Sequence, residues 1–133
     1  MKYMLLVYLD EKALSDDERE HCYVESAQLT QDLNTRGQYV IASPLPSVAT
    51  ATSVRLREGK RLVTDGPFAE TREQLGGFYM VEVEDLDEAI RVAERIPVAR
   101  LGTIEIRPVQ EIAGLPTSLK HINITNRNDH ENN

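Results

Sequence analysis

Thr64-Asp65-Gly66-Pro67-Phe68-Ala69-Glu70-Thr71-Arg72-Glu73-Gln74-Leu75-Gly76-Gly77-Phe78-Tyr79 is the stretch from which the rest of the chain can be read. It joins a short strand to a longer one. A plain hairpin needs only a few turn residues. This connector is longer and carries Asp65, Glu70, Arg72 and Glu73 together with three glycines, so it is the first place to look for a site.

The turn at its head has a physical reading. Asp65 is expected to accept hydrogen bonds from the backbone N–H groups that follow it. Gly66 tolerates angles other residues avoid, Pro67 fixes its own φ, and the bond between them can be cis or trans. Phe68 is expected to anchor the turn in a core. Glu70-Thr71-Arg72-Glu73 follows as a polar run, and Gly76-Gly77 then lets the chain bend or approach another backbone before a strand at Phe78–Val83. The run reads either as a structural turn with solvated charges or as a loop facing a ligand.

Outward from the connector the periodicities are local and regular. Upstream, Thr52–Arg57 sets Val54 and Leu56 against Arg55 and Arg57, and Glu58-Gly59-Lys60 turns it into Arg61–Thr64, a hairpin. Its arginines read as solvated or as anion contacts. Further upstream, Tyr3–Leu9 is apolar on both faces, which suits a covered central strand. Ser15-Asp16-Asp17-Glu18 is a capping box opening a helix that runs to about Arg36 and stops at Gly37, with Cys22, Ser26, Leu29 and Leu33 inward. Cys22 on that stripe reads as a small core residue. Gln38–Ala42 is a short strand ended by Ser43-Pro44-Leu45-Pro46. Downstream, Asp85 caps a second helix with Leu86, Ala89, Ile90 and Ala93 inward; Pro97 ends it, and Thr103–Val109 is the last strand.

This order is that of a ferredoxin-like split βαβ arrangement, an α+β fold, with an added β-hairpin. Two helices cover one sheet face. Alternation places Phe78, Met80, Glu82, Glu105 and Arg107 on the other. That face is too apolar to be left wet and too charged for a dry core, so a second copy of the sheet is expected to cover it and enclose a polar pocket.

Asp65–Tyr79, DGPFAETREQLGGFY, resembles the signature of the DGPF branch of the YCII-related family. Lys2–Leu6, Ala49–Thr52 and Pro97–Val109 agree with it, so the resemblance covers roughly residues 1–112. It implies a dimeric α/β barrel built from two ferredoxin-like chains. Position 72 is usually Lys in this branch; Arg72 keeps the charge in a planar fork. Shorter YCII-like proteins carry a His–Asp pair whose Asp directly precedes the proline after the second helix. Here that position is Ile96, and His21 does not match the histidine securely, so that chemistry is not carried over.

Composition bounds the rest. The chain has 133 residues, enough for one domain, expected at 1–112 with a polar, Asn-rich tail at 113–133. A net charge of −7 argues against direct nucleic-acid binding. No apolar run is long enough for a membrane span. A single cysteine, Cys22, forms no internal disulfide and suits the cytoplasm. There is no Cys/His ligand cluster, and His121 and His130 lie in the tail, so neither metal nor cofactor is expected.

The first functional expectation is a homodimer binding a small organic or anionic molecule between its sheets. Asp65, Arg72 and Arg107 would be the binding residues, and Asp65, Glu70, Glu73 or His21 the proton carriers. His21 stands one turn from carboxylates on its helix and reads first as a surface residue, with the acid/base role as the alternative. The alternative is a non-catalytic ligand-sensing or accessory module. The resemblance links that alternative to sigma-factor-dependent transcription, through a sigma factor or another regulatory protein.

Overall fold

The structure is a computed structural model and describes residues 1–116. The tail from 117 onward, with His121 and His130, lies outside the described residues. Strand β1 is Lys2–Leu9, helix α1 is Asp16–Thr35, and β2 is Tyr39–Pro44. Strands β3, Thr52–Arg57, and β4, Lys60–Asp65, form the hairpin; β5 is Gln74–Glu82, α2 is Leu86–Glu94, and β6 is Thr103–Pro108. The main sheet is antiparallel in the order β2-β5-β1-β6, and among the described residues β3 and β4 pair only with each other. Setting the hairpin aside leaves β-α-β-β-α-β, the expected split βαβ arrangement.

Capping explains where the helices begin. Ser15 accepts the Glu18 N–H and Glu18 accepts the Ser15 N–H, both at 3.1 Å. These bonds hold the Glu18 carboxyl below its ordinary range. Asp85 does the same for α2, accepting the Glu88 N–H at 2.9 Å. Gly37, at φ 74°, ends α1, and Gln38 donates back to the Leu33 carbonyl at 2.9 Å.

The core lies between the helices and one sheet face. Tyr3, Leu5, Val7 and Leu9 of β1 alternate inward beside Tyr79 and Val81 of β5, with Ile104 and Ile106 of β6 in register with Val7 and Leu5. Leu5, Leu33, Val81 and Ile96 are fully buried. The opposite face carries Met4, Leu6, Phe78, Met80, Ile41, Glu105 and Arg107, all register partners or neighbours, and the described residues leave it uncovered. That is the open face read from the alternation.

Four local expectations are corrected. Strand β5 starts at Gln74 rather than Phe78, because Gly76 is accommodated as a bulge: Val7 pairs with Gly77 and Tyr8 with Leu75. The inward stripe of α2 is Ala89, Val92 and Ala93, whereas Leu86 and Ile90 are exposed at its flank. On α1 only Leu29 and Leu33 are buried, and Cys22 and Ser26 are half-buried. The N-terminal half of that helix faces small residues on the sheet and does not close onto them. Phe68 is 79% exposed instead of plugging a core.

Candidate functional site at the connector

Strand β4 ends at Asp65 and β5 begins at Gln74, so residues 66–73 form the connector proper. Its head is closed by backbone and by a serine. The Gly66 N–H donates to the Ala51 carbonyl at 2.7 Å, and Ser53 Oγ donates to the Gly66 carbonyl at 2.8 Å. Gly66 takes φ 103°, where a side chain is strained. Among the described residues all peptide bonds are trans, including Gly66–Pro67. The Asp65 carboxylate makes none of the expected bonds to the turn. The Asp65 side chain is exposed.

The far end of the connector is also tied down. Thr71 Oγ1 donates to the Glu73 carbonyl at 2.5 Å, and Thr103 Oγ1 donates to Glu73 Oε1 at 2.8 Å, which fastens the connector to the start of β6. Glu73 is thereby a tether.

Between these fastenings lies a cavity of about 670 Å³. The connector supplies Asp65, Glu70, Thr71 and Arg72, and the segment after β1 supplies Asp10, Glu11 and Lys12. The loop from β2 to β3 supplies Ser47 and Val48. Glu11 builds this wall: its carboxylate accepts the Val48 N–H and the Ser47 hydroxyl, both at 2.8 Å. Asp10 caps the short 3-10 turn Glu11–Ala13 by accepting the Lys12 N–H at 3.0 Å. Arg72 is nearly free, 92% exposed and 3.9 Å from Asp10. Among the described residues the carboxylates of Asp65 and Glu70 enter neither a hydrogen bond nor an ion pair.

The cavity therefore gathers Asp65, Glu70 and Arg72 from the sequence-based set and leaves three others elsewhere. Arg107 sits on the open sheet face, opposite Met4, with Nη1 3.3 Å from Glu105 Oε2. His21 is exposed on α1. Glu73 is occupied by Thr103. Sequence reading missed Asp10, Glu11, Lys12 and Ser47. The signal was present, in a polar Asp10-Glu11-Lys12 run directly after a buried strand, but only the fold brings it beside the connector.

Cys22 has a raised pKa, first from burial and then from the charge of Glu25, so it stays a thiol at neutral pH. Among the described residues no group of three or more His, Cys, Asp or Glu stands close enough to hold a metal ion, and no helix is long and apolar enough to cross a membrane.

Comparison with known proteins adds three findings. Residues 1–113 match the YCII-related domain. Uncharacterized protein R00369 of Rhizobium meliloti (strain 1021) is 37% identical over 118 residues, which span 82% of this chain and 92% of the relative. Among solved structures, 5-chloro-2-hydroxyhydroquinone dehydrochlorinase (TftG) from Burkholderia phenoliruptrix AC1100, in complex with 2,5-dihydroxybenzoquinone, is similar at a TM-score of 0.54. That pair is 14% identical, covers 84% of this chain and 96% of the other, and is alike in fold.

Proposed function

The chain belongs to the YCII-related family, and on that premise we propose that it binds a small polar organic molecule at the connector cavity, with Asp65 and Glu70 meeting it and able to exchange a proton with it. The observation that carries this reading is the pair of carboxylates. Asp65 and Glu70 line a cavity of about 670 Å³ and have no partner among the described residues. Exposed carboxylates without structural work are free to accept hydrogen bonds from hydroxyl or amine groups. Arg72 offers a planar fork for one anionic group on the same molecule. Because Asp10, Glu11, Asp65 and Glu70 outnumber Lys12 and Arg72, a ligand that is mainly anionic fits less well than a hydroxylated or amine-bearing one. The structural neighbour's small ring ligand is in keeping with a small organic molecule on this fold.

The working unit of this reading is a homodimer formed through the open sheet face. Met4, Leu6, Phe78 and Met80 make that face apolar, and the Glu105–Arg107 pair lies at its β6 side. A contiguous apolar face of this kind is a usual mark of a protein–protein surface.

A thermal-shift screen of small hydroxylated and amine-bearing organic molecules, with and without one carboxylate, tests the assignment. Titration of the strongest hit should give binding that Asp65→Asn and Glu70→Gln each weaken. Hits whose affinity neither variant changes would overturn it. Turnover of a bound hit separates an enzyme from the sensing or accessory alternative, for which binding occurs and the molecule is returned unchanged.

A further inference from the structure

The hairpin β3–β4 turns through Glu58 and Gly59, at φ 53° and 74°, the left-handed pair of a two-residue turn matched to strand twist. Its register fixes which backbone groups face inward. Gly66 donates to the Ala51 carbonyl at 2.7 Å, and the pairs in step with that bond are Ser53 with Thr64, Arg55 with Leu62 and Arg57 with Lys60. Bonded and non-bonded pairs alternate along an antiparallel ladder. Arg61, Val63 and Asp65 therefore turn their N–H and C=O groups to the outer edge of β4, and among the described residues no backbone bond takes them up. Edges of this kind are usually blunted by charges, proline or a covering element. Here the middle of the edge is Leu62-Val63-Thr64, exposed, with a charge only at either end, on Arg61 and on Asp65.

Those two charges have opposite sign and form no ion pair among the described residues. Their spacing fits a second copy of the same strand. Two β4 strands laid antiparallel about a two-fold axis keep every residue on its own face, so the pairing must centre on a residue. Centred on Val63, it sets Val63 against its own copy and Arg61 against Asp65 of the partner subunit, twice by symmetry. This register alone engages all three residues whose backbone groups face outward. It also sets opposite charges directly across the strands, the favourable cross-strand arrangement. Val63 shares a face with Val54 and Leu56. The paired arms thus become a four-stranded sheet with one continuous apolar face, where a lone hairpin is marginal.

We infer that the β4 edge is a self-association surface, on which the arm of a second copy pairs through Val63 and the reciprocal Arg61–Asp65 contacts. Asp65 also lines the connector cavity, so the partner's Arg61 enters that site. This consequence rests on the connector reading: the partner's Arg61 and a bound molecule compete for one carboxylate, and self-association lowers occupancy of the site. The edge pairing itself stands without it.

Hydrogen exchange in residues 61–65 of the full-length protein, followed by mass spectrometry from micromolar to near-millimolar concentration, reads the pairing. This readout is blind to association through the open face of the main sheet. Exchange should be fast when dilute and slow by about tenfold or more when concentrated. Arg61→Asp and Asp65→Arg should each raise the concentration at which slowing sets in by about fivefold, and the double variant should return it to within about twofold of wild type. Val63→Pro removes an outward N–H and leaves the hairpin's own ladder intact, so it should abolish the slowing at every concentration. Exchange independent of concentration, a double variant no better than the singles, or slowing that survives Val63→Pro would each overturn the inference. Slow exchange already in dilute protein would also overturn it, since the edge would then be covered within one chain. Arg61 and Val63 lie outside the lining of the connector cavity, so their variants test the pairing separately from Asp65→Asn and Glu70→Gln at that cavity.

Discussion

Ser53 donates its hydroxyl to the carbonyl oxygen of Gly66 at 2.8 Å, across the root of the hairpin. That bond and the Gly66 N–H to the Ala51 carbonyl hold the turn, which was expected to depend on Asp65. Ser53→Ala should therefore lower stability by about 1 kcal/mol, the usual worth of a partly buried hydrogen bond. Asp65→Ala should leave stability within about 0.5 kcal/mol of wild type, as for an exposed side chain without a structural partner. Denaturant titration of the two variants checks both, and a larger loss for Asp65→Ala would return the keystone role to the carboxylate.

Glu73 and Glu70 are only three residues apart and should behave oppositely. Glu73 is held by Thr103 and Glu70 is not. Glu73→Gln should keep ligand affinity at the connector close to wild type, while Glu70→Gln reduces it. The check is calorimetric titration of the same ligand into both variants.

Gly102 comes so close to β1 that a Cβ there would overlap the Tyr8 carbonyl oxygen and crowd Leu9 Cα at 3.1 Å. The neighbour is backbone, and a strand paired on both edges cannot step aside cheaply. Gly102→Ala should lose about 2 kcal/mol or more, in the range of overpacked sites. Thermal melting at matched concentration measures it.

Asp32 accepts Arg95 Nη2 at 2.7 Å and Arg36 Nε at 3.3 Å, linking α1 to the end of α2. The Arg95 bond comes first among the causes that hold its carboxyl below the ordinary range. Its contribution is complete above the unfolded carboxylate value, about pH 4, and fades as pH falls through the lowered folded one. Asp32→Asn should remove that part of the acid limb and leave the alkaline limb alone. The pair is exposed, so the effect at neutral pH is small. Urea midpoints measured from pH 2 to 7 would show it.

Met80 sits in the middle of the open sheet face, opposite Met4 on one side and Ile41 on the other. Met80→Glu should turn the proposed dimer into a folded monomer, since the position is half-exposed in the single chain and a charge there meets the partner sheet. Light scattering of wild type and variant reads the outcome; a wild type that is monomeric at micromolar concentration would end the proposal.

The elements of this fold were legible because their signals are local. The Ser15–Glu18 capping box, the Gly37 stop and the alternation of β1 each lie within a few residues of what they specify. The register of the open face followed from the same alternation in β5 and β6. What escaped the sequence depended on partners far along the chain. Gly76 is absorbed as a bulge because Val7 and Tyr8 pair with the residues on either side of it, and nothing near Gly76 encodes that. Cys22 and Ser26 have helical spacing suited to a core, yet the sheet opposite them is Gly77 and Ala42, and the core is not closed there. Phe68 read as an anchor from its neighbours alone, with no account of what stands across from it. At the connector, the residue types Asp65, Glu70 and Arg72 were visible; the wall completed by Glu11, Ser47 and Val48 was not.

Among the described residues the hairpin β3–β4 pairs with no other strand, and nearly every residue in it is exposed, with Val54 and Leu56 above 60%. An isolated two-stranded hairpin is marginal in water. Its opening is then a separate event from global unfolding, with a free energy near the low end of the range. Amide hydrogens of Arg55 and Leu62 should exchange with solvent orders of magnitude sooner than those of Leu5 and Val81. The head of the connector hangs from this arm, through Ser53 and Ala51. Every excursion of the arm therefore loosens one wall of the cavity while Thr103 holds the other, and the cavity acquires a hinge on one side without any element of the core having to move.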